Sequence, residues 1–119
     1  ANRYAAERSQ FGKPINRFQA IQMKLAEMAT SLEAASHLVY SAAWLRDAGK
    51  PYHQQAAMAK LFASETAASV CDQAARVLAS YGYAMEYPMQ RHYRESKLFQ
   101  IFGGTNQVQR NIVARALKS

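Results

Sequence analysis

At 119 residues the chain has room for one domain, or for one piece of a larger protein. Half of it is apolar, with three prolines and a net charge of +7 from 15 Lys and Arg against 8 Asp and Glu. That balance excludes a disordered tail, a collagen-like repeat and a linker. No apolar run reaches the length of a membrane span, and the first residues, Ala1 to Arg8, lack the apolar stretch of a secretory signal. The single cysteine, Cys71, excludes an internal disulfide and a cysteine-based zinc site.

Alanine sets the fold class. There are 23 alanines, 21 of them before position 85, against five glycines. Alanine is the best helix former, and small side chains let helices approach closely. No Asn-Gly or Asp-Gly turn and no alternating β-branched run signals a hairpin. The expectation is an all-α chain.

Tyr4 to Gln10 reads as the end of a helix broken by Phe11-Gly12-Lys13-Pro14. From Phe18 the apolar positions run Ile21, Leu25, Met28, Leu32, Ala35, Val39, Ala42, a 3-4 spacing with Lys24, Glu27, Ser31 and Glu33 off the stripe. This predicts a helix about 45 Å long at ~1.5 Å per residue, ending near Asp47-Ala48-Gly49-Lys50-Pro51 on a glycine cap and a proline stop. A second long helix should run from His53, itself in the loop, to about Ser80. It carries two apolar stripes, Ala57, Leu61, Ser64, Ala68, Cys71, Ala75, Leu78 and Ala63, Ala67, Val70, Ala74, Val77, so it should be buried between neighbours. Pro88 opens a basic helix, Met89 to about Ile101, with Arg91, His92, Arg94 and Lys97. After Phe102-Gly103-Gly104, Thr105 is placed to cap a last helix that buries Val108, Ile112, Val113 and Ala116. The expected architecture is an antiparallel four-helix bundle spanning 1–119 as a single domain, with Leu25, Met28, Leu32, Leu61, Cys71 and Leu78 in its core.

Little of this supports autonomous chemistry. Glu33 and His37 are an i, i+4 pair with no second copy, which reads as a solvated pair and not as a bundle metal site. Cys71 falls in a small-residue stripe, where an inert core thiol is expected. From Pro88 onward there are six Lys and Arg and one acid, Glu95, but no nucleic-acid motif. A few arginines aimed at a ligand phosphate fit the pattern better. Two segments look costly for mere packing: Arg8-Ser9-Gln10-Phe11-Gly12 with Phe18-Gln19, and Phe102-Gly103-Gly104-Thr105-Asn106-Gln107, a glycine turn feeding a helix N-terminus.

These two segments, with Tyr81-Gly82-Tyr83, Glu86-Tyr87-Pro88, Tyr93-Arg94-Glu95-Ser96-Lys97 and Gly104 to Arg110 followed by Ile112-Val113-Ala114-Arg115, resemble in order and spacing the C-terminal domain of the flavin-dependent acyl-CoA dehydrogenases. The resemblance covers essentially the whole chain and implies one domain of a three-domain protein. It implies oxidation of an acyl-CoA thioester to the 2-enoyl-CoA, with FAD held between chains of a homo-oligomer, a tetramer or dimer. Electron-transfer flavoprotein or a similar acceptor would take the electrons, in the cytoplasm or mitochondrial matrix. By position, Arg8 should meet the FAD pyrophosphate with Gln10, Phe11, Phe18 and Gln19 nearby. Thr105 and Gln107 should meet flavin or ribityl atoms, and Phe102 and Gly103 should line the thioester end of the pocket.

There are two departures. Many members carry the catalytic glutamate where this chain has Gly103, and glycine cannot abstract a proton. The base then comes from a helix upstream of Ala1, as in some relatives, or has been lost, leaving a non-redox structural or binding relative. Secondly, Arg76-Val77-Leu78-Ala79-Ser80 stands where the family has a glutamine first and a glycine pair last. Arg76 and Ser80 remain candidate cofactor contacts with altered chemistry.

Overall fold

A computed structural model describes residues 1–118. They form α1 (Asn2–Glu7), a two-stranded ribbon of β1 (Ser9–Gln10) and β2 (Lys13–Pro14), then α2 (Gln19–Asp47), α3 (His53–Leu78), α4 (Met89–Leu98) and α5 (Asn106–Ala116). The two long and two shorter helices of the expected bundle are present, with the short α1 ahead of them. The molecule is drawn out to 58 × 25 × 24 Å because α2 and α3 lie along its length.

The alanine-rich α3 is the spine. Its dual apolar stripes are explained by its neighbours, since α2, α4 and α5 all pack on it. Lys24 Nζ, near the start of α2, donates to Gln73 Oε1, near the end of α3, at 2.7 Å, so the two long helices run antiparallel. Between them the amides of Gly49 and Lys50 bond the carbonyls of Arg46 and Leu45 at 3.0 and 2.9 Å, a Schellman closure at the expected glycine. Met28 of α2, Ala74, Val77 and Leu78 of α3, Met89 of α4 and Ala5 of α1 bury one another in the main core cluster.

Part of the expected core is corrected. On α2, Met28, Ala35 and Ala42 are buried, seven residues apart, but Leu32 is 47% exposed and Val39 45%. The buried seam continues instead through Ser31, Leu38 and Leu45, which are half-buried. One flat alanine helix can cover only a narrow strip of its neighbour, so the seam holds half of the predicted stripe and leaves the other half outside. Leu25, Leu61 and Cys71 are half-buried, and Leu78 is buried. On α5, Val108 and Ile112 are exposed and Val113 and Ala116 half-buried, whereas Asn106 and Gln109 are buried. That helix docks on α3 through polar contacts, which hydrophobic spacing does not register.

The N-terminal break is also more ordered than expected. Ser9 pairs with Pro14 and Gln10 with Lys13, around Phe11 (φ +53) and Gly12 (φ +80). Two successive positive φ values make this a type I′ hairpin turn, hidden in the sequence because phenylalanine takes the place usually held by Asn or Asp. At the other end of the core, α3 stops at Leu78, short of Ser80, because Ala79 turns to φ +53, ψ −132. The chain then doubles back so closely that a Cβ on Gly82 would lie 2.6 Å from the Ala75 carbonyl oxygen. His53 is the first residue of α3 and not a loop residue, and α4 ends at Leu98, before Ile101.

Candidate functional site

The sequence candidates fall into two groups, at different levels of α3. In the first, Arg8 and Gln10 from the end of α1 and the ribbon meet Ala79, Ser80 and Tyr81 after α3, around a cleft of about 340 Å³. Among the described residues no side-chain partner is seen for the Arg8 guanidinium. A fixed cation, an amide and a hydroxyl therefore converge on one opening, a donor set suited to an anion. Phe11, at the tip of the hairpin, is 90% exposed. Its ring meets that of Phe18 edge-on with centroids 6.2 Å apart, and Lys13 Nζ caps Phe18 at 4.5 Å. A phenylalanine held out of the core in left-handed backbone has no packing rationale, and such strain concentrates at ligand sites. Gln19, the first residue of α2, is exposed beside it. Arg76 is different: its Nε donates to Asp72 Oδ2 at 2.8 Å, so its charge is already engaged by the preceding turn of α3.

In the second group, Phe102 and Gly103 line a cleft of about 300 Å³ with Lys60, Ser64, Ala67 and Phe99. Phe99 and Phe102 stack at a tilt, 5.3 Å between centroids. Gly103 has φ +64, and a Cβ built there meets nothing within 4 Å. Thr105 caps α5 as expected, its Oγ1 accepting from the Val108 amide at 3.3 Å, which leaves the hydroxyl proton to donate elsewhere. Gln107 is exposed in the first turn. The residues of α3 lining this cleft, Lys60 to Ala67, stand ten to nineteen positions before Val77 and Ala79 of the other, which is ~15–28 Å at the helical rise.

Sequence reasoning missed Lys60, Ser64 and Asn106. Ser64 sat in an apolar stripe, and Lys60 belongs to no motif. The available signal was Lys60-x-x-x-Ser64, two donors one helical turn apart. The other candidates keep to their plain roles. Glu33 and His37 form an exposed pair at 3.2 Å. Burial pushes the Cys71 thiol up from its ordinary range, against the opposing Ser96 hydroxyl, which disfavours the nucleophilic thiolate. Among the described residues no group of three or more His, Cys, Asp or Glu could hold a metal, and no helix is long and apolar enough to cross a membrane.

The comparisons with known proteins agree with this layout. The family described as acyl-CoA dehydrogenase, C-terminal domain, matches residues 1–118. Benzylmalonyl-CoA dehydrogenase of Aromatoleum aromaticum is 64% identical over 119 residues, the whole of this chain and 32% of that protein. Among solved structures, butyryl-CoA dehydrogenase from Megasphaera elsdenii superposes with a TM-score of 0.98 at 45% identity, over 99% of this chain and 31% of that one. A chain in the structure of the electron transferring flavoprotein of Acidaminococcus fermentans gives 0.96 at 50% identity, over 98% of this chain and 30% of that one. The chain thus spans about a third of the length of the relatives it matches. The match of the family over residues 1–118, on an all-helical fold shared with its solved members, places this chain in the C-terminal domain family of the acyl-CoA dehydrogenases.

Proposed function

We propose that this chain is the helical wall of a flavoprotein that oxidises an acyl-CoA thioester to the 2-enoyl-CoA. The observation that carries the reading is the pairing of an anion-suited cleft at Arg8, Gln10 and Ser80 with the exposed Phe102–Thr105 turn. FAD, when bound, supplies the acceptor for the hydride leaving the β-carbon. Arg8 brings a planar, permanently charged donor fork to the pyrophosphate, with Gln10 and Ser80 adding neutral donors. Phe11, Phe18 and Gln19 form the adjoining wall. Arg76, paired to Asp72, has a lesser part. Thr105 and Gln107 face the flavin or ribityl end, and Phe102 covers the thioester and excludes water. The ~15–28 Å between the clefts along α3 suits a cofactor shared between two copies, each supplying a different group. The exposed Leu32, Val39, Tyr40 and Trp44 of α2 suit burial in such a homo-oligomer, and electron-transfer flavoprotein is the proposed acceptor.

The α-proton must go to a carboxylate that the turn does not supply, since its position is Gly103. The leading reading takes that base from an upstream helix. The second reading, a non-redox relative, is favoured by the same glycine. Anaerobic flavin reduction by a panel of acyl-CoAs separates them, with benzylmalonyl-CoA first in the panel because a relative of 64% identity is named for it. Reduction by the full-length wild type is the expected result. Silence from wild type with reduction by Gly103→Glu would establish the second reading. A side chain there has open space, at the cost of left-handed backbone, ~1–2 kcal/mol.

A further inference from the structure

Asn106 is the first residue of α5, directly after the Thr105 cap, and is only 7% exposed. Its side-chain oxygen accepts two hydrogen bonds from α3, from Lys60 Nζ at 2.8 Å and from Ser64 Oγ at 3.0 Å. Ser64 is 5% exposed. The two donors lie one turn apart on one face of α3 and converge on a single acceptor, the one hydroxyl proton of Ser64 being shared between it and the Leu61 carbonyl at 3.1 Å. One of the two bonds is charge-assisted, and both lie where water competes weakly.

The turn that ends at Asn106 has little else to fix it. Gly103 and Gly104 both have positive φ, +64 and +87, and Phe102 and Gly103 are exposed. Its downstream attachments are the Asn106 amide on the Gln100 carbonyl at 3.0 Å and the Gln109 amide on the Thr105 carbonyl at 3.0 Å, the Thr105 cap on the Val108 amide and Gln109 Nε2 on the Gly104 carbonyl at 3.2 Å. All stay within the 100–109 segment. The tie to α3 is made by Asn106, and the same Lys60 and Ser64 floor the cleft that Phe102 and Gly103 border.

We infer that Lys60, Ser64 and Asn106 are positioning residues, a polar clamp that holds the Phe102–Thr105 turn over α3 so that Phe102 and Thr105 meet the thioester and cofactor in register. This rests on the role proposed for that turn. A purely structural role, docking α5 on α3, is already served by the exposed Arg110–Glu65 ion pair between the same helices, which makes that pair the control.

The test uses the full-length flavoprotein as wild type, Asn106→Leu, Asn106→Asp, Lys60→Met and Glu65→Gln. Amide hydrogen exchange over 101–105 and acyl-CoA turnover are both measured. Asn106→Leu and Lys60→Met should speed exchange in the turn and lower kcat about ten- to hundredfold, the cost of misplacing reacting groups by about an ångström, with KM changed far less. Asn106→Asp, which keeps both acceptor positions, should restore kcat, and Glu65→Gln should leave kcat and turn exchange alone. Lys60→Met decides the matter if Asn106→Leu fails to fold. Unchanged exchange in the turn overturns the clamp, as does faster exchange with unchanged kcat. Equal losses in Glu65→Gln and Asn106→Leu reduce it to docking and overturn it too. A wild type that no acyl-CoA reduces sinks the proposed activity instead, and exchange in the turn then decides whether the clamp exists.

Discussion

Ala79 holds φ +53, ψ −132, backbone that glycine adopts freely and alanine does not. Alanine here carries strain that glycine would not. Relief of about 1–3 kcal/mol exceeds the ~0.5–1 kcal/mol of extra chain entropy that glycine brings. Ala79→Gly should therefore raise the melting temperature of the full-length protein, and a fall would show that the Ala79 side chain packs usefully beside the Arg8 cleft. The two arginines offered as phosphate contacts separate at the same scale. Arg8 faces an open cleft, and Arg76 is held by Asp72 at 2.8 Å. Arg8→Ala should weaken FAD binding ten- to hundredfold, about 1.5–3 kcal/mol, and Arg76→Ala much less, as measured by flavin release on dilution. Arg8 could be selected from sequence by its place in a motif. The pairing of Arg76 needed the geometry of one helical turn.

At the scale of the element, α2 shows what a periodic pattern can and cannot say. Its extent, its Schellman end and its buried heptad of Met28, Ala35 and Ala42 follow from residue spacing and the Gly49-Lys50-Pro51 stop. Which of two adjacent stripes completes the seam does not, because Leu32 and Val39, or Ser31 and Leu38, alternate with Met28, Ala35 and Ala42 at 3-4 spacing equally well. Met28→Ala should cost about 2–5 kcal/mol, and Leu32→Ala well under 1 kcal/mol while the face stays uncovered. Denaturant unfolding of the 119-residue chain checks both. A large loss from Leu32→Ala would mean that this face is buried in the species measured. On α5 the failure is of another kind: Asn106 and Gln109 are buried through hydrogen bonds, and no hydrophobic index scores them.

At the scale of the molecule, the exposed apolar side chains form too large a set for an isolated monomer. Tyr40, Trp44, Phe11, Tyr83 and Met85 are all more than half exposed, even though Phe18 and Lys50 touch the Phe11 and Trp44 rings. The separate 119-residue chain should self-associate in sedimentation and should retain no flavin, since each candidate cleft is open on one side. A monodisperse monomer, or a yellow preparation bleached by acyl-CoA, would contradict this.

Composition and periodicity determine that the chain is helical and, to within a residue or two, where its long helices begin and end, while the order and spacing of its motifs carry the resemblance to one family. These are local matters, set by backbone propensity, capping and residue order. Only the tertiary structure decides which face of α2 is buried, that Phe11-Gly12 closes a hairpin, that Arg76 is spent on Asp72 while Arg8 is open, and that Lys60 and Ser64 reach Asn106. The buried face of α2 and the Asn106 bonds depend on which surfaces meet across 42 to 49 positions, whereas the hairpin and the Arg76–Asp72 pair are local choices among near-equivalent turns and partners, and a one-dimensional pattern carries no information on which of several equivalent donors will find the acceptor.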